Sequence, residues 1–150
     1  MMMRSTLAAA VLTISVATVA AQSDLVRERA ELMYNQGEHI YGTLNKMVRG
    51  EIAYDQAKVD EAFAKLKEIA PKLSALYIET AKGQAPDADY YASEKVWQNK
   101  ADFDARLAKL EKDINENAPK AKSLDGLKDA RAVIVETCNG CHEVYRVKKS

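Results

Sequence analysis

Apolar residues recur every three or four positions along most of the chain, which is the spacing of one face of an α-helix. The first such series runs from about Ser23 to Val48. Ser23 is suited to an N-cap, because its hydroxyl can accept a free amide of the first turn, and Gly50 is suited to end the helix. The apolar or small positions of this stripe are Val26, Ala30, Met33, Gly37, Ile40, Leu44 and Met47.

Three further amphipathic helices are predicted along the rest of the chain. The second starts near Asp55, a good N-cap residue, the third near Ser93 and the fourth after Ser123. Pro71 interrupts the second series and predicts a kink or short break, because proline has no amide hydrogen and clashes with the preceding turn. Pro119 closes the third helix. No alternating apolar and polar series of the β-strand type stands out.

These helices predict an all-α fold. Glycine and proline are scarce, which favours helices. Helices of similar length that are joined by mostly short loops, each with one apolar face, pack as an antiparallel up-down-up-down four-helix bundle. The one longer connection reads "TAKGQAPDADYYAS". Such a bundle can hold a cofactor, although the fold alone does not imply one.

The N-terminal stretch has the features of a secretory signal peptide. Arg4 precedes an apolar run from Leu7 to Val19, and small residues then lead to a cleavage site after Ala21. The alternative is a membrane anchor, but the run is shorter than the roughly 20 residues that span a bilayer. We therefore expect residues 1–21 to be removed and residues 22–150 to form one exported domain.

The charge balance and hydropathy exclude some classes of partner. The sequence has 22 Lys plus Arg and 22 Asp plus Glu, so loss of Arg4 with the signal peptide leaves 21 against 22, a net charge of −1. Without a basic excess we expect no nucleic-acid partner. The mature domain has no apolar segment long enough to cross a membrane, so we expect a protein that does not span one.

The candidate chemistry lies near the C-terminus, in "VETCNGCHEVYRVKKS". Both cysteines, Cys138 and Cys141, are three positions apart, and His142 follows directly. The CxxCH pattern is that of c-type haem attachment, in which two thiols add to the haem vinyl groups and the histidine binds the iron axially. On a helix these three side chains share one face, so a single turn can present both anchors and an iron ligand.

A redox dithiol, a zinc site and a local disulfide are the alternatives to haem. A redox CxxC sits at a helix N-terminus after a strand, whereas this one falls in the last turns of a predicted helix with no βαβ pattern before it. A structural zinc site needs four ligands, and His39 is the one other histidine. A disulfide between positions i and i+3 of a helix is geometrically awkward. The spacing thus favours haem.

The sequence resembles the class II c-type cytochromes, the cytochrome c-prime family. The resemblance covers essentially the whole mature chain, and its most specific part is "CNGCHEVYR". Further similar stretches are "EKVWQ", "RGEIAYD" and "SDLVRERAELM". The C-terminal position of CxxCH separates this family from the class I cytochromes, where the motif lies near the N-terminus. The resemblance implies a periplasmic four-helix bundle with one covalently bound haem c and its iron.

The same resemblance raises the question of the second axial ligand. High-spin members leave the far side of the iron open behind an apolar side chain and are associated with binding gases such as nitric oxide. Low-spin members supply a methionine from the first helix and are electron carriers. When positions are counted from the start of the first helix, Met33 corresponds to that methionine. When they are counted back from Gly50, Tyr34 corresponds to it instead.

The apolar stripe favours Met33 as the ligand. Met33 lies on the stripe and Tyr34 does not, although a methionine on such a stripe is commonly plain core. Gly37 follows one turn later, where a missing side chain would let a flat macrocycle approach the helix. We predict that Met47, further along the stripe, is core and that His39 is a surface residue.

Four more residues are pocket candidates from the resemblance. Arg29 resembles a haem-propionate partner, with an exposed arginine as the alternative. Trp97 resembles the family's tryptophan near the haem edge, although a buried aromatic residue also serves a core. Tyr145 and Arg146 are expected beside the proximal face.

Two functions remain open from the sequence. The first is an electron carrier, not an enzyme, that meets periplasmic or membrane-bound redox proteins through a weak interface as a monomer or homodimer. Its basic end, "RVKKS", could attract an acidic partner. The second is a five-coordinate protein that binds a gas.

Overall fold

A computed structural model describes residues 9–85 and 87–149, with side chains from residue 22 onward. The α-helices are α1 (Ala9–Gly37), α2 (Asn45–Val48), α3 (Gln56–Ile69), α4 (Leu73–Leu76), α5 (Lys95–Gln98), α6 (Lys100–Asn117) and α7 (Leu124–Tyr145). Two short strands, β1 (Tyr90–Ala92) and β2 (Arg146–Lys148), pair antiparallel.

These seven helices of the described residues form the four members of an antiparallel bundle. A π-helical stretch, Glu38–Leu44, joins α1 to α2, and a 3-10 turn, Ala70–Lys72, joins α3 to α4. The first member consists of α1, the π-helical stretch and α2, and the second consists of α3, the 3-10 turn and α4. The third member consists of α5 and α6, and the fourth is α7. The first member packs on the second and on α7, and α6 packs on both α3 and α7. The predicted all-α four-helix bundle is confirmed.

The core is divided into two apolar clusters. The larger cluster includes Leu44, Met47 and Leu66 with facing residues of α6 and α7, and Cys138 packs against it. The smaller cluster is Leu73, Tyr77, Val96, Phe103, Leu107 and Tyr145, and Met33, Trp97 and Cys141 are among the residues that pack against it. The prediction that Met47 is core is confirmed.

Local sequence signals set several helix boundaries as predicted. The Asp55 carboxylate accepts hydrogen bonds from the amides of Ala57 and Lys58 (2.9 and 3.2 Å). The Ser123 hydroxyl accepts one from the amide of Gly126 (3.1 Å). Pro71 lies in the 3-10 turn between α3 and α4, which is the predicted break.

One helix boundary was predicted wrongly, and one pair of strands was not predicted. The first helix begins at Ala9 rather than at Ser23, because residues 9–23 contain no glycine or proline and many alanines, so nothing stops the helix from extending upstream. The short β1–β2 pair was not predicted, because three-residue strands are too short to show a period. This pair brings Tyr91 opposite Val147 and ties the long connection to the end of α7.

The predicted signal peptide lies outside the described residues over positions 1–8, and only its helical backbone is described from 9 to 21. Its cleavage stays a prediction. Within the described part of the chain, no helix is both long and apolar enough to cross a membrane.

Arg29 holds the long connection against α1. Its side chain is 4% exposed, and its two terminal nitrogens donate hydrogen bonds to the carbonyl oxygens of Ala81 and Gly83. Its guanidinium also lies 5.1 Å from the ring centre of Tyr77 and 5.6 Å from that of Trp97. The alternative of an exposed arginine is therefore wrong.

We predict that Arg29→Leu lowers the free energy of unfolding of the haem-loaded protein by about 3 kcal/mol, because two carbonyl oxygens lose charged donors. Arg27→Leu is the matched control, since Arg27 is exposed on the same helix two residues earlier. We expect the control to change stability by less than about 0.5 kcal/mol. Urea denaturation followed by far-UV circular dichroism measures both, and equal effects would contradict the assignment.

Candidate functional site

The CNGCH stretch lies in the last two turns of α7, which Ser123 caps at the other end. Helical spacing places Cys138, Cys141 and His142 on one side of α7, and all three side chains are partly buried. Both cysteines are free thiols. The motif is thus at a helix C-terminus, where the helix dipole does not stabilise a thiolate.

A large cavity opens beside this motif, between α1, the long connection and α7. Its volume is about 920 Å³, within the range of ligand sites in proteins. Among its lining residues are Arg29, Met33, Tyr77, Phe103, Cys141, His142, Tyr145 and Arg146.

A small recess of about 60 Å³ adjoins the large cavity. Met33, Cys141 and His142 border both spaces. The recess is also bordered by Cys138, Gly37 and Gln36. A Cβ atom added at Gly37 would meet no atom within 4 Å, so the open side of α1 expected at this glycine is present.

Burial sets the protonation of the three motif side chains. It raises the pKa of the Cys138 thiol to about 11 and also raises that of Cys141. A redox dithiol needs a lowered thiol pKa, so this environment is unfavourable to that alternative. Burial, assisted by the charge of Arg146, lowers the pKa of His142 to about 4, which leaves a neutral imidazole with a lone pair for a metal.

The zinc alternative finds no support in the geometry. Across the described residues, no group of three or more His, Cys, Asp or Glu side chains is placed to hold a metal ion. His39 is partly exposed and borders neither cavity.

The structure places most of the other predicted site residues at the large cavity. Arg29, Tyr145 and Arg146 line the large cavity. Trp97 borders neither space; its Nε1 donates to the carbonyl oxygen of Ile78 (3.0 Å) and its ring lies behind Arg29. Tyr34, the alternative to Met33, is 67% exposed.

Arg106 is a site residue that sequence reasoning missed. Its Nη1 donates to the carbonyl oxygen of Gly140 (2.7 Å), inside the CNGCH turn, and its Nε donates to Asp102 (2.8 Å). The Tyr145 hydroxyl donates to the same carboxylate. The i, i+4 spacing of Asp102 and Arg106 signals only an ion pair on α6, so the link to α7 could not be predicted.

Gln36 is the second residue that was missed. It is 4% exposed, and its Nε2 has no hydrogen-bond partner among the described residues. In the sequence it is one polar residue beside an apolar stripe, which gives no signal of a site.

The residues present fit a covalently attached haem. The large cavity has a mostly apolar lining and a suitable volume, and the Cys141 thiol and the neutral imidazole of His142 line it. The Cys138 thiol borders the adjoining recess. Cys138 and Cys141 would form the thioether bonds, and His142 would bind the iron. Gln36 adds a buried polar atom that has no hydrogen-bond partner among the described residues.

Comparison with known proteins agrees with this geometry. The family model for cytochrome c′ matches residues 24–146. Cytochrome c-555 of Bradyrhizobium diazoefficiens is 35% identical over 147 residues, which cover 98% of this chain and 99% of that protein. Cytochrome c-556 of Rhodopseudomonas palustris is 36% identical over 149 residues, 99% of each chain.

The fold agrees as well. The structure of cytochrome c′ from Rhodopseudomonas palustris matches with a TM-score of 0.76 and 30% identity, over 85% of this chain and 98% of that chain. The resemblance read from the sequence is thereby confirmed. The chain belongs to the cytochrome c′ family, the class II c-type cytochromes, and its cofactor is a covalently attached haem c.

Proposed function

We propose that this chain is a periplasmic electron carrier, and not an enzyme, in which His142 and Met33 bind the haem iron on opposite faces. The observation that carries the proposal is the position of Met33, which borders both the large cavity and the recess together with His142. Tyr34 also lines the large cavity, but it is 67% exposed and does not border the recess, so Met33 is the better placed of the two.

Ligation on both faces suits electron transfer. The haem supplies a one-electron iron couple, and a thioether ligand opposite a histidine raises its potential. Because no ligand has to enter or leave, little of the protein rearranges when the charge changes. Anchoring through both Cys138 and Cys141 adds to this rigidity, since each thiol packs against a different core cluster.

The remaining residues of the cavity have supporting roles in this proposal. Arg29 is a buried cation that can stabilise the haem carboxylates, although its two terminal nitrogens already hold the long connection. Arg146 lies 4.4 Å from the ring centre of Tyr90 and keeps positive charge at the cavity mouth. Tyr145 and Arg106 fix the turn that carries His142.

The proposed partners are periplasmic or membrane-bound redox proteins. Arg146 and Lys148 are exposed at the end of the chain beside the cavity, which would favour an acidic partner surface. Carriers of this type meet their partners through small, weak interfaces, whether the carrier is a monomer or a homodimer.

Gas binding is the second candidate. It is supported by the match to a solved nitric oxide complex of a cytochrome c prime mutant from Alcaligenes xylosoxidans, with a TM-score of 0.74 and 25% identity. In that case the iron would be five-coordinate, and Met33 would only shield its open side.

We predict that the oxidised protein has a low-spin spectrum with a methionine–iron charge-transfer band. Met33→Ala should abolish the band and give a high-spin ferric spectrum, because His142 then remains as the one axial side chain. Tyr34→Ala is the matched control on the adjacent, exposed position and should leave the band unchanged.

Optical spectra in both redox states, with and without nitric oxide, decide between the two candidates. A high-spin ferric spectrum that Met33→Ala leaves unchanged would support gas binding and overturn the electron-carrier proposal.

We predict that Cys138→Ala together with Cys141→Ala yields protein without covalent haem, because no other cysteine is present to form a thioether. Extraction with acid and acetone should then remove all haem, whereas the unaltered protein should retain it. Haem that stays with the double variant after extraction would refute the attachment site.

A further inference from the structure

Gln36 has a buried hydrogen-bond donor that the protein itself does not satisfy. The side chain is 4% exposed and its Nε2 is without a partner among the described residues. Buried polar groups in native proteins are nearly always hydrogen-bonded, and an unpaired one is destabilising. Such a donor therefore indicates an acceptor that is present in the working protein.

The position of Gln36 narrows the identity of that acceptor. Gln36 borders the recess together with Met33, Cys138, Cys141 and His142. It follows Met33 by three residues on one helix, so the two side chains are neighbours on the same face. The acceptor must therefore lie between α1 and the CNGCH turn of α7.

Of the other polar side chains of the recess, Tyr41 is 45% exposed, His142 would bind the iron, and the rest are poor partners for this amide. The Thr137 hydroxyl donates to the Asp113 carboxylate and accepts from the Lys109 ammonium (2.8 Å). Arg106 has only donors. The neutral thiols of Cys138 and Cys141 would be consumed in thioether bonds, which leaves only weak acceptors at the attachment points.

We propose that the Gln36 amide donates a hydrogen bond to the sulfur of Met33 when Met33 binds the iron, an inference that rests on the proposed electron-carrier function. A thioether sulfur has two lone pairs, and the one not shared with the metal remains free to accept. Thioether sulfur is a weak acceptor, but an unpaired buried donor is costly, so even a weak acceptor on the neighbouring turn stabilises the Gln36 amide.

This hydrogen bond has a defined consequence for the haem. It withdraws electron density from the Met33 sulfur, so the ligand stabilises the ferric iron less and the reduction potential rises. Hydrogen bonds to a metal ligand tune redox sites in this way. Gln36 is thus a positioning residue that acts through Met33 and does not touch the iron.

The test is Gln36→Leu in the haem-loaded protein, which removes the donor and keeps an apolar side chain of similar size. We expect the equilibrium constant for reduction, measured against a mediator of fixed potential, to fall about threefold to tenfold. A tenfold fall corresponds to about 59 mV for a one-electron couple. The charge-transfer band should remain but shift, and the Met33 ε-methyl resonance should move in the proton NMR spectrum.

Two further variants complete the experiment. Gln98→Leu is the control, because Gln98 is an exposed glutamine of α5 that borders neither cavity, and it should change neither the potential nor the methyl resonance. Gln36→Glu keeps the shape of the side chain but replaces the donor by an acceptor. It should lower the reduction equilibrium constant at neutral pH at least as far as Gln36→Leu.

The outcomes separate this inference from the proposed function. If the unaltered protein lacks the charge-transfer band, Met33 is not a ligand and both proposals are overturned. If the band is present but Gln36→Leu and Gln36→Glu leave the potential and the Met33 methyl resonance unchanged, the role of Gln36 alone is overturned.

Discussion

The last two turns of α7 constrain the rest of this protein, because they must present two thiols and an imidazole to one side of a helix whose other residues build the core. Helical spacing makes this arrangement possible, because positions 138, 141 and 142 lie on one face of α7. Cys138 packs against one apolar cluster and Cys141 against the other. A haem attached to these side chains would lie where the two apolar clusters meet, beside the cavity and the recess that the surrounding elements leave open.

Several polar groups are buried around that space, and their partners explain the local architecture. Arg29 is tolerated because two carbonyl oxygens of the long connection accept its hydrogen bonds and two aromatic rings cover it. Asp113 is held by Thr137 and Lys109 beside the attachment turn, and their hydrogen bonds keep the pKa of its carboxyl low despite burial. Gln36 differs from these residues because its amide donor has no hydrogen-bond partner in the described part of the chain.

Much of the fold could be predicted because its signals are local. Asp55 and Ser123 cap helices through hydrogen bonds to amides only two or three residues away, and Pro71 breaks a helix through its own ring. The start of the first helix was wrong because Ser23 is only a possible cap, and the residues before it favour helix equally well. The β1–β2 pair was missed because it joins segments more than fifty residues apart.

The sequence by itself determined the four amphipathic helices and the CxxCH motif, and it predicted Met33 rather than Tyr34 as the second iron ligand, since each depends on spacing along a single helix. Only the tertiary structure decided that Arg29 is buried against the long connection, that Arg106 reaches the carbonyl oxygen of Gly140, and that Gln36 faces the recess. The physical reason is that the position of a residue in the helical repeat determines which face of the helix it occupies. Its contact and hydrogen-bond partners depend on which other element packs against that face.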